Sequence, residues 1–425
     1  MNNNRRIASL VACLIFAAAT LAAISKSPYR IEAAVDDECK KPTGVLDPAP
    51  ALNYPDNYAW QLFVQVNRKA AVQHTFKDKA GQEVTTNSAL WESWADDPWT
   101  FPANPDPKNP PKWPDEKATP KRLLKKAKGA AHTASTQGGD QNFILDTGAN
   151  EGEEIHRNRA TFDYVIQNDL WYTEGVAAYF ESGKKVDFPI DSIEVKANWV
   201  KIQPNQKAQY HWNYDKDGNL YGLVAMHITS KALPNWFWAT FEWAGNAGRC
   251  DFIGCHDCFG VTPHHVPSNT KQVGQVYPAG TLTPELLMMF EKGGLTGEWG
   301  KQMQNYRLKG SQTDYTDSYG NPVLVGNSVT EGGFVQTASC MTCHSRAAVD
   351  SNGKSSFPIF GEKQGLPLES TSPGQYQTQF TTYNGVPDPN WFYFFTGTAS
   401  PKMINMQTDF VWAIPFRAQP VKKGK

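Results

Sequence analysis

The sequence predicts an α+β protein: a large β-rich N-terminal domain with a few helices, then a mainly helical or irregular C-terminal region. Three observations carry this. Apolar residues alternate with period two between residues 191 and 243, they recur at helical spacing near residue 60 and after residue 283, and a cysteine–histidine motif at 340–344 stands apart from both patterns.

The first predicted element is a helix over 58–72, YAWQLFVQVNRKAAV, with Trp60, Phe63, Val64 and Val72 on its apolar side. Residues 98–120 hold eight prolines among Asn, Asp and Lys, and 121–140 continue as KRLLKKAKGAAHTASTQGGD, so this stretch is expected to be loop or extended surface. Its basic run, Lys121 to Lys128, reads as a solvated loop, with docking of an acidic redox partner as the alternative. From Asp191, alternation puts Ile193, Val195, Ala197 and Trp199 on one side of a strand, and a second strand runs from Asn219 to Ser230. The DKDGN segment between them predicts a hairpin turn. Asn213, Asp215, Asp217 and Gly218 fall at calcium-loop offsets, but Val224 stands where the bidentate Glu belongs. Trp236, Trp238 and Trp243 in NWFWATFEW predict a third strand on an aromatic core, which also accounts for the fourteen tryptophans without sugar-stacking platforms. A capped helix follows, with Thr283 as N-cap, Pro284 at its first position, Gly293 at its end and Leu286, Leu287, Met289 and Phe290 as its buried face. The expected boundaries are a signal peptide or N-terminal anchor over 1–25, the β-rich domain over 40–330 and the C-terminal region over 331–425.

The 41 basic and 42 acidic residues leave a formal charge of -1, which provides no broad field for nucleic acid or an anionic membrane. Arg5 and Arg6 precede an uncharged apolar run from Ile7 to Ile24, the pattern of an export signal, with Ala17, Ala19, Ala22 and Ala23 offering small residues for cleavage. The run almost suffices to cross a bilayer, so an uncleaved anchor is the alternative. The arginine pair also resembles a twin-arginine signal. Leu10 to Cys13 spell a lipobox, although too few apolar residues precede it, and Cys13 reads as part of the signal core. The expected location is therefore periplasmic or otherwise exported.

Residues 340–344 are Cys-Met-Thr-Cys-His. On a helical turn, positions three and four apart share a face, so two thiols and one imidazole point the same way. This is the CxxCH pattern at which two cysteines bond the haem vinyl groups and the histidine faces the iron. It occurs once and predicts one covalent haem c on Cys340 and Cys343, with His344 as proximal iron ligand.

With CMTCH and the later Phe357, Pro358, Ile359, Phe360 and Gly361, the stretch 340–361 resembles the c-type cytochrome family. The resemblance implies that the Pro358 carbonyl accepts the other ring N–H of His344, orienting it. It also implies a distal methionine in ASPKMINMQTDF, where Met406 is preferred to Met403. The rival ligand is His227 in LVAMHITSK, with His264 and His265 weaker. The chain departs from small family members: Gly332, Gly333 and Phe334 precede the motif at a shifted distance, and the tail, FVWAIPFRAQP, is no ordinary terminal helix.

Cys39, Cys250, Cys255 and Cys258 remain. In an oxidising compartment four cysteines imply two disulfides of undetermined connectivity. Cys250, Cys255 and Cys258 with His256 also have zinc-like spacing, and Cys255 with Cys258 form a CxxC dithiol pattern. Two functions follow. One is an electron-transferring cytochrome serving a redox partner protein or a small-molecule donor or acceptor; the other is a haem-dependent peroxidase or dehydrogenase whose large domain binds substrate. A gas sensor is a third reading. Glu92, Asp96 and Asp97 in WESWADDPW are a carboxylate cluster that a helix end explains equally well, and no Rossmann, P-loop, GxSxG or HExxH motif is present.

Overall fold

Helix α1 (Pro55–Val66) begins as its sequence dictates, with Pro55 in the first turn and Asp56 beside the positive end of the helix dipole. It stops short of the expected residue 72 because Asn67 takes over its end. The buried Asn67 amide donates to the Phe63 carbonyl at 2.9 Å and accepts from the Trp91 indole at 3.1 Å, satisfying groups that another turn would have used. The computed structural model describes residues 49–115, 125–126, 151–268, 274–332, 335–357, 386–387, 389–395 and 400–422. All of them belong to one compact unit, Asp47–Lys425, so the stretches before and after residue 330 share it. The apolar run Ile7–Ile24 lies outside the described residues, among which no helix is long and apolar enough to cross a membrane.

The centre of the fold is a large antiparallel sheet. Its strands are β1 (Ala95–Asp96), β2 (Glu151–Arg157), β3 (Ile193–Lys201), β4 (Trp212–Tyr214), β5 (Leu220–Ser230), β6 (Phe237–Trp243) and β7 (Tyr306–Gln312). They pair in the order β7-β6-β5-β3-β2-β1, with β4 on β5 and the short strand Lys125–Lys126 on β2. The protein is thus a mixed α/β fold built on one large sheet. All three strands read from alternation are present. The turn between β4 and β5 forms through Asp215, whose carboxylate accepts from the backbone N–H of Asp217 and Asn219 at 2.9 and 2.8 Å.

Each face of this sheet has its own cover. Val195, Ala197, Trp199, Met226, Ile228, Phe237, Ala239 and Phe241 form the first face and meet α1 and the helix Pro284–Lys292. Trp60 and Phe63 lie 5.0 and 4.7 Å, centroid to centroid, from Phe241. That later helix is capped as its sequence requires, with Thr283 Oγ1 accepting from Leu286 N. The second face carries the alternate residues, Trp238 among them, and packs against Met341, Val349, Met406, Phe410 and Ile414. It therefore meets the stretch that holds CMTCH, and this is what positions the site.

Candidate haem-attachment site

Residues Cys340–His344 form a short helix, α2, laid across the second face of the sheet. Gln312, at the end of β7, holds it there: its carbonyl oxygen accepts from Met341 N at 3.2 Å and its amide donates to Ser339 Oγ at 3.0 Å. Gln312 thereby satisfies a backbone donor at the helix start, a service a capping side chain normally provides. Replacing Gln312 with Ala is expected to cost about 1–2 kcal/mol, because a buried N–H and a buried hydroxyl lose their partner. A lowered urea midpoint with unchanged slope is the signature to measure.

Sequence reasoning placed Cys340, Cys343 and His344 on one helical turn, and the structure has them there. Neither cysteine is in a disulfide. Burial pushes the Cys343 thiol up to about 11 and raises Cys340 well above the ordinary value, so both sulfurs carry their protons. Burial also pushes His344 down to about 4, so its imidazole is neutral at physiological pH, the form a metal requires. Its Nδ1 lies 2.7 Å from the Phe410 carbonyl oxygen, and since a carbonyl only accepts, Nδ1 carries the ring proton. Nε2 is left with the lone pair. The Trp238 ring sits 4.6 Å from the imidazole, fixing it from the sheet side.

The acceptor expected of Pro358 is therefore supplied by Phe410, from the far end of the chain. Pro358 itself lies outside the described residues. Phe410 and its neighbour Asp409 both have left-handed backbones, with φ of 68° and 48°. Without glycine this costs about 1–3 kcal/mol per residue, so the turn persists only because its surroundings hold it.

Met406, the expected distal ligand, is buried close to the attachment helix in sequence-distant packing. It is 1% exposed, on the strand β9 (Met406–Gln407), which pairs with β8 (Ala348–Val349) just beyond α2. Its cluster also contains Met341, Trp238 and Phe410. Met403 borders the same cluster.

His227 is buried in β5, with Nδ1 2.9 Å from Thr240 Oγ1 and Nε2 3.2 Å from Glu331 Oε1 and 3.1 Å from Asn327 Nδ2. Strand register puts it in a row with Thr240 and Lys196 on the second face, one step along from the row of Trp238 and Gln312. The charges of Lys196, His227 and Glu331 act on the His344 imidazole, so this polar row is close to the site. Burial works against ionisation of Glu331, but His227 and Lys196 hold it below its ordinary value. His264 instead contacts the Asp257 carbonyl, and His265 lies on a short strand opposite His256 on its antiparallel partner.

The remaining candidates have structural roles. Cys250 and Cys255 form a disulfide, and Cys258 is disulfide-bonded too, to a partner outside the described residues, where Cys39 also lies. This overturns the zinc and dithiol alternatives, because those sulfurs are spent. Asp56, His256 and Cys258 bring ligand atoms within 4.8 Å of one another, but the Cys258 sulfur offers no thiolate. The expected carboxylate cluster is split: Glu92 pairs with His211, Asp96 caps a helix through Trp99 N, and Asp97 binds Arg157.

The donor set fits a covalently attached haem: two neutral thiols spared from disulfides and a neutral imidazole with a fixed tautomer, all on one turn. Sequence reasoning missed Gln312, Trp238 and Phe410. Trp238 was legible as a strand residue, whereas nothing local to Gln312 or Phe410 signals a partner at CMTCH. Compared with family models, curated proteins and solved structures, the chain matches none.

Proposed function

We propose that this chain is an exported mono-haem c-type cytochrome that transfers electrons, its haem held by Cys340 and Cys343 with His344 on the iron. The observation that carries the reading is the imidazole, neutral and pinned at Nδ1 within the same turn as two unpaired thiols. When bound, haem supplies one-electron chemistry whose potential depends on its ligands and surroundings. The chain's own part is to hold and shield. Gln312 anchors the attachment helix, Trp238 covers the imidazole, and the Phe410 carbonyl keeps the proton on Nδ1. In this reading residues 331–425 would attach the haem, and the β-rich part supplies the sheet face on which the attachment helix packs.

Export is supported by Arg5, Arg6 and the following apolar run, and by the Cys250–Cys255 disulfide, a bond favoured outside the cytoplasm. The partner is a redox protein or a small-molecule donor or acceptor. Met406 stays the preferred distal ligand, supported by its burial in the cluster that holds Met341, Trp238 and Phe410.

A second reading, a haem-dependent peroxidase or dehydrogenase, is favoured by Lys196, His227 and Glu331, whose charges act on the His344 imidazole. Hydrogen-bonding and titratable groups beside a haem suit activation of a bound ligand better than simple electron storage. An alkaline pyridine spectrum of the exported, denatured protein is expected to show one thioether-linked haem per chain. Haem that extracts into acidic acetone, or none at all, overturns both readings. Ready binding of CO or cyanide by the folded protein selects the enzyme; indifference to them selects the carrier.

A further inference from the structure

The Phe410 carbonyl sits at the tip of a turn that two buried charges hold in place. Asp409 is 9% exposed, and its carboxylate is shared: one oxygen accepts from Lys231 Nζ at 2.8 Å and the other from Phe188 N at 2.8 Å. Lys231, equally buried, also donates to the Pro234 carbonyl at 2.9 Å and reaches Asp187 at 3.1 Å. Every partner of the pair belongs to chain that precedes CMTCH, so the β-rich part fixes the turn from outside. Thr408 anchors its other side: its N–H and hydroxyl both donate to the Ala347 carbonyl, at 2.8 and 3.1 Å.

We propose that Asp409, held by Lys231, is a positioning residue for the iron ligand: it locks the left-handed turn that aims the Phe410 carbonyl at His344 Nδ1. This rests on the proposed haem attachment. An imidazole that donates a firm hydrogen bond from Nδ1 is a stronger donor through Nε2 and favours the more oxidised iron, so the pair sets the reduction potential without touching haem. Breaking it frees the turn, lengthens the Nδ1–H···O contact and shifts the couple toward the reduced form.

The alternative is that the two residues act only as charges, and the two roles predict different signs. If they position the carbonyl, Asp409→Asn and Lys231→Met both raise the potential. If they act as charges, Asp409→Asn raises it and Lys231→Met lowers it. The test uses the exported full-length holoprotein, with haem content from the pyridine spectrum, potential from redox titration, and exchange of the His344 Nδ1 proton with D2O by NMR. Both variants are expected to shift the oxidised-to-reduced ratio about tenfold, or ~59 mV for one electron. Proton exchange should quicken at least tenfold, and Lys231→Arg should restore wild-type values. Opposite shifts from the two variants, or an unchanged exchange rate, overturn the proposal. Should Lys231→Met fail to accumulate, Asp409→Asn decides alone: a raised potential with unchanged proton exchange is a charge effect and refutes positioning. Wild-type protein without covalent haem would instead refute the functional reading beneath it.

Discussion

Replacing Cys340 and Cys343 together with alanine is expected to abolish covalent haem, leaving no haem absorbance on the denatured chain. Both thiols are reduced, protonated and one helical turn apart, and His344 alone offers only a coordinate bond that denaturation breaks. The effect is all or none because the thioether is the only covalent link the motif provides. The variant's packing should change little, since Met341, Thr342 and Ser345 remain buried and Gln312 still anchors Met341 N. Single variants should retain one thioether, with the shifted spectrum of a haem that keeps one vinyl group. Haem surviving on the denatured double variant would refute the site.

The largest loss of stability is expected at Asp97, far from the motif in sequence. Arg157 is fully buried and pairs with Asp97 at 2.5 Å and Glu194 at 3.3 Å, while Arg417, near the chain's end, reaches Asp97 at 3.1 Å. Asp97→Ala leaves the buried guanidinium with Glu194 as its remaining carboxylate beside neutral hydrogen bonds to Thr100 Oγ1 and the Asp96 carbonyl, and removing one partner of such a pair costs about 3–5 kcal/mol. Urea unfolding at pH 7 measures it; a loss under about 1 kcal/mol, the scale of an exposed ion pair, would show that Glu194 suffices.

The same network gives a pH dependence. Burial favours the neutral Asp97 carboxyl, but Arg157 and Arg417 outweigh it and hold its pKa below the ordinary value. Its folded pKa is thus lower than its unfolded one, so its contribution is present above about pH 4 and fades as the pH falls through the depressed value. Glu194 works the other way. Burial raises its pKa despite Arg157, so its ionisation in the fold offsets part of the gain at neutral pH. In Asp97→Ala the acid-dependent loss should shrink.

Three strands of the sheet, β3, β5 and β6, were legible because their signal is local. Ile193, Val195, Ala197 and Trp199 alternate, and a strand with one apolar face needs no distant information to declare itself. The capped helix after Thr283 and the turn at Asp215 were legible for the same reason. Asn67 was not: its stop signal depends on Trp91, which only tertiary packing brings near. The attachment motif was complete in five residues, but its supports come from elsewhere. Gln312 and Phe410 contribute a side chain and a backbone carbonyl whose identity as partners is a matter of register, which no spacing rule reports. Pro358 lies outside the described residues, and the carbonyl that meets His344 Nδ1 is Phe410's, on a left-handed turn.

The contact between His344 and Phe410 spans 66 residues, Lys231 and Asp409 are 178 apart, and Asp97 and Arg417 are 320 apart. A chain made from its N-terminus thus presents both thiols and the imidazole before the stretch that aims the imidazole has emerged. Contacts of such long range form slowly, since the loops they close must be ordered first. On the proposed reading, cofactor attachment to an open segment and docking of the last residues would be separate events, and a product ending before residue 408 would carry the motif without its aim.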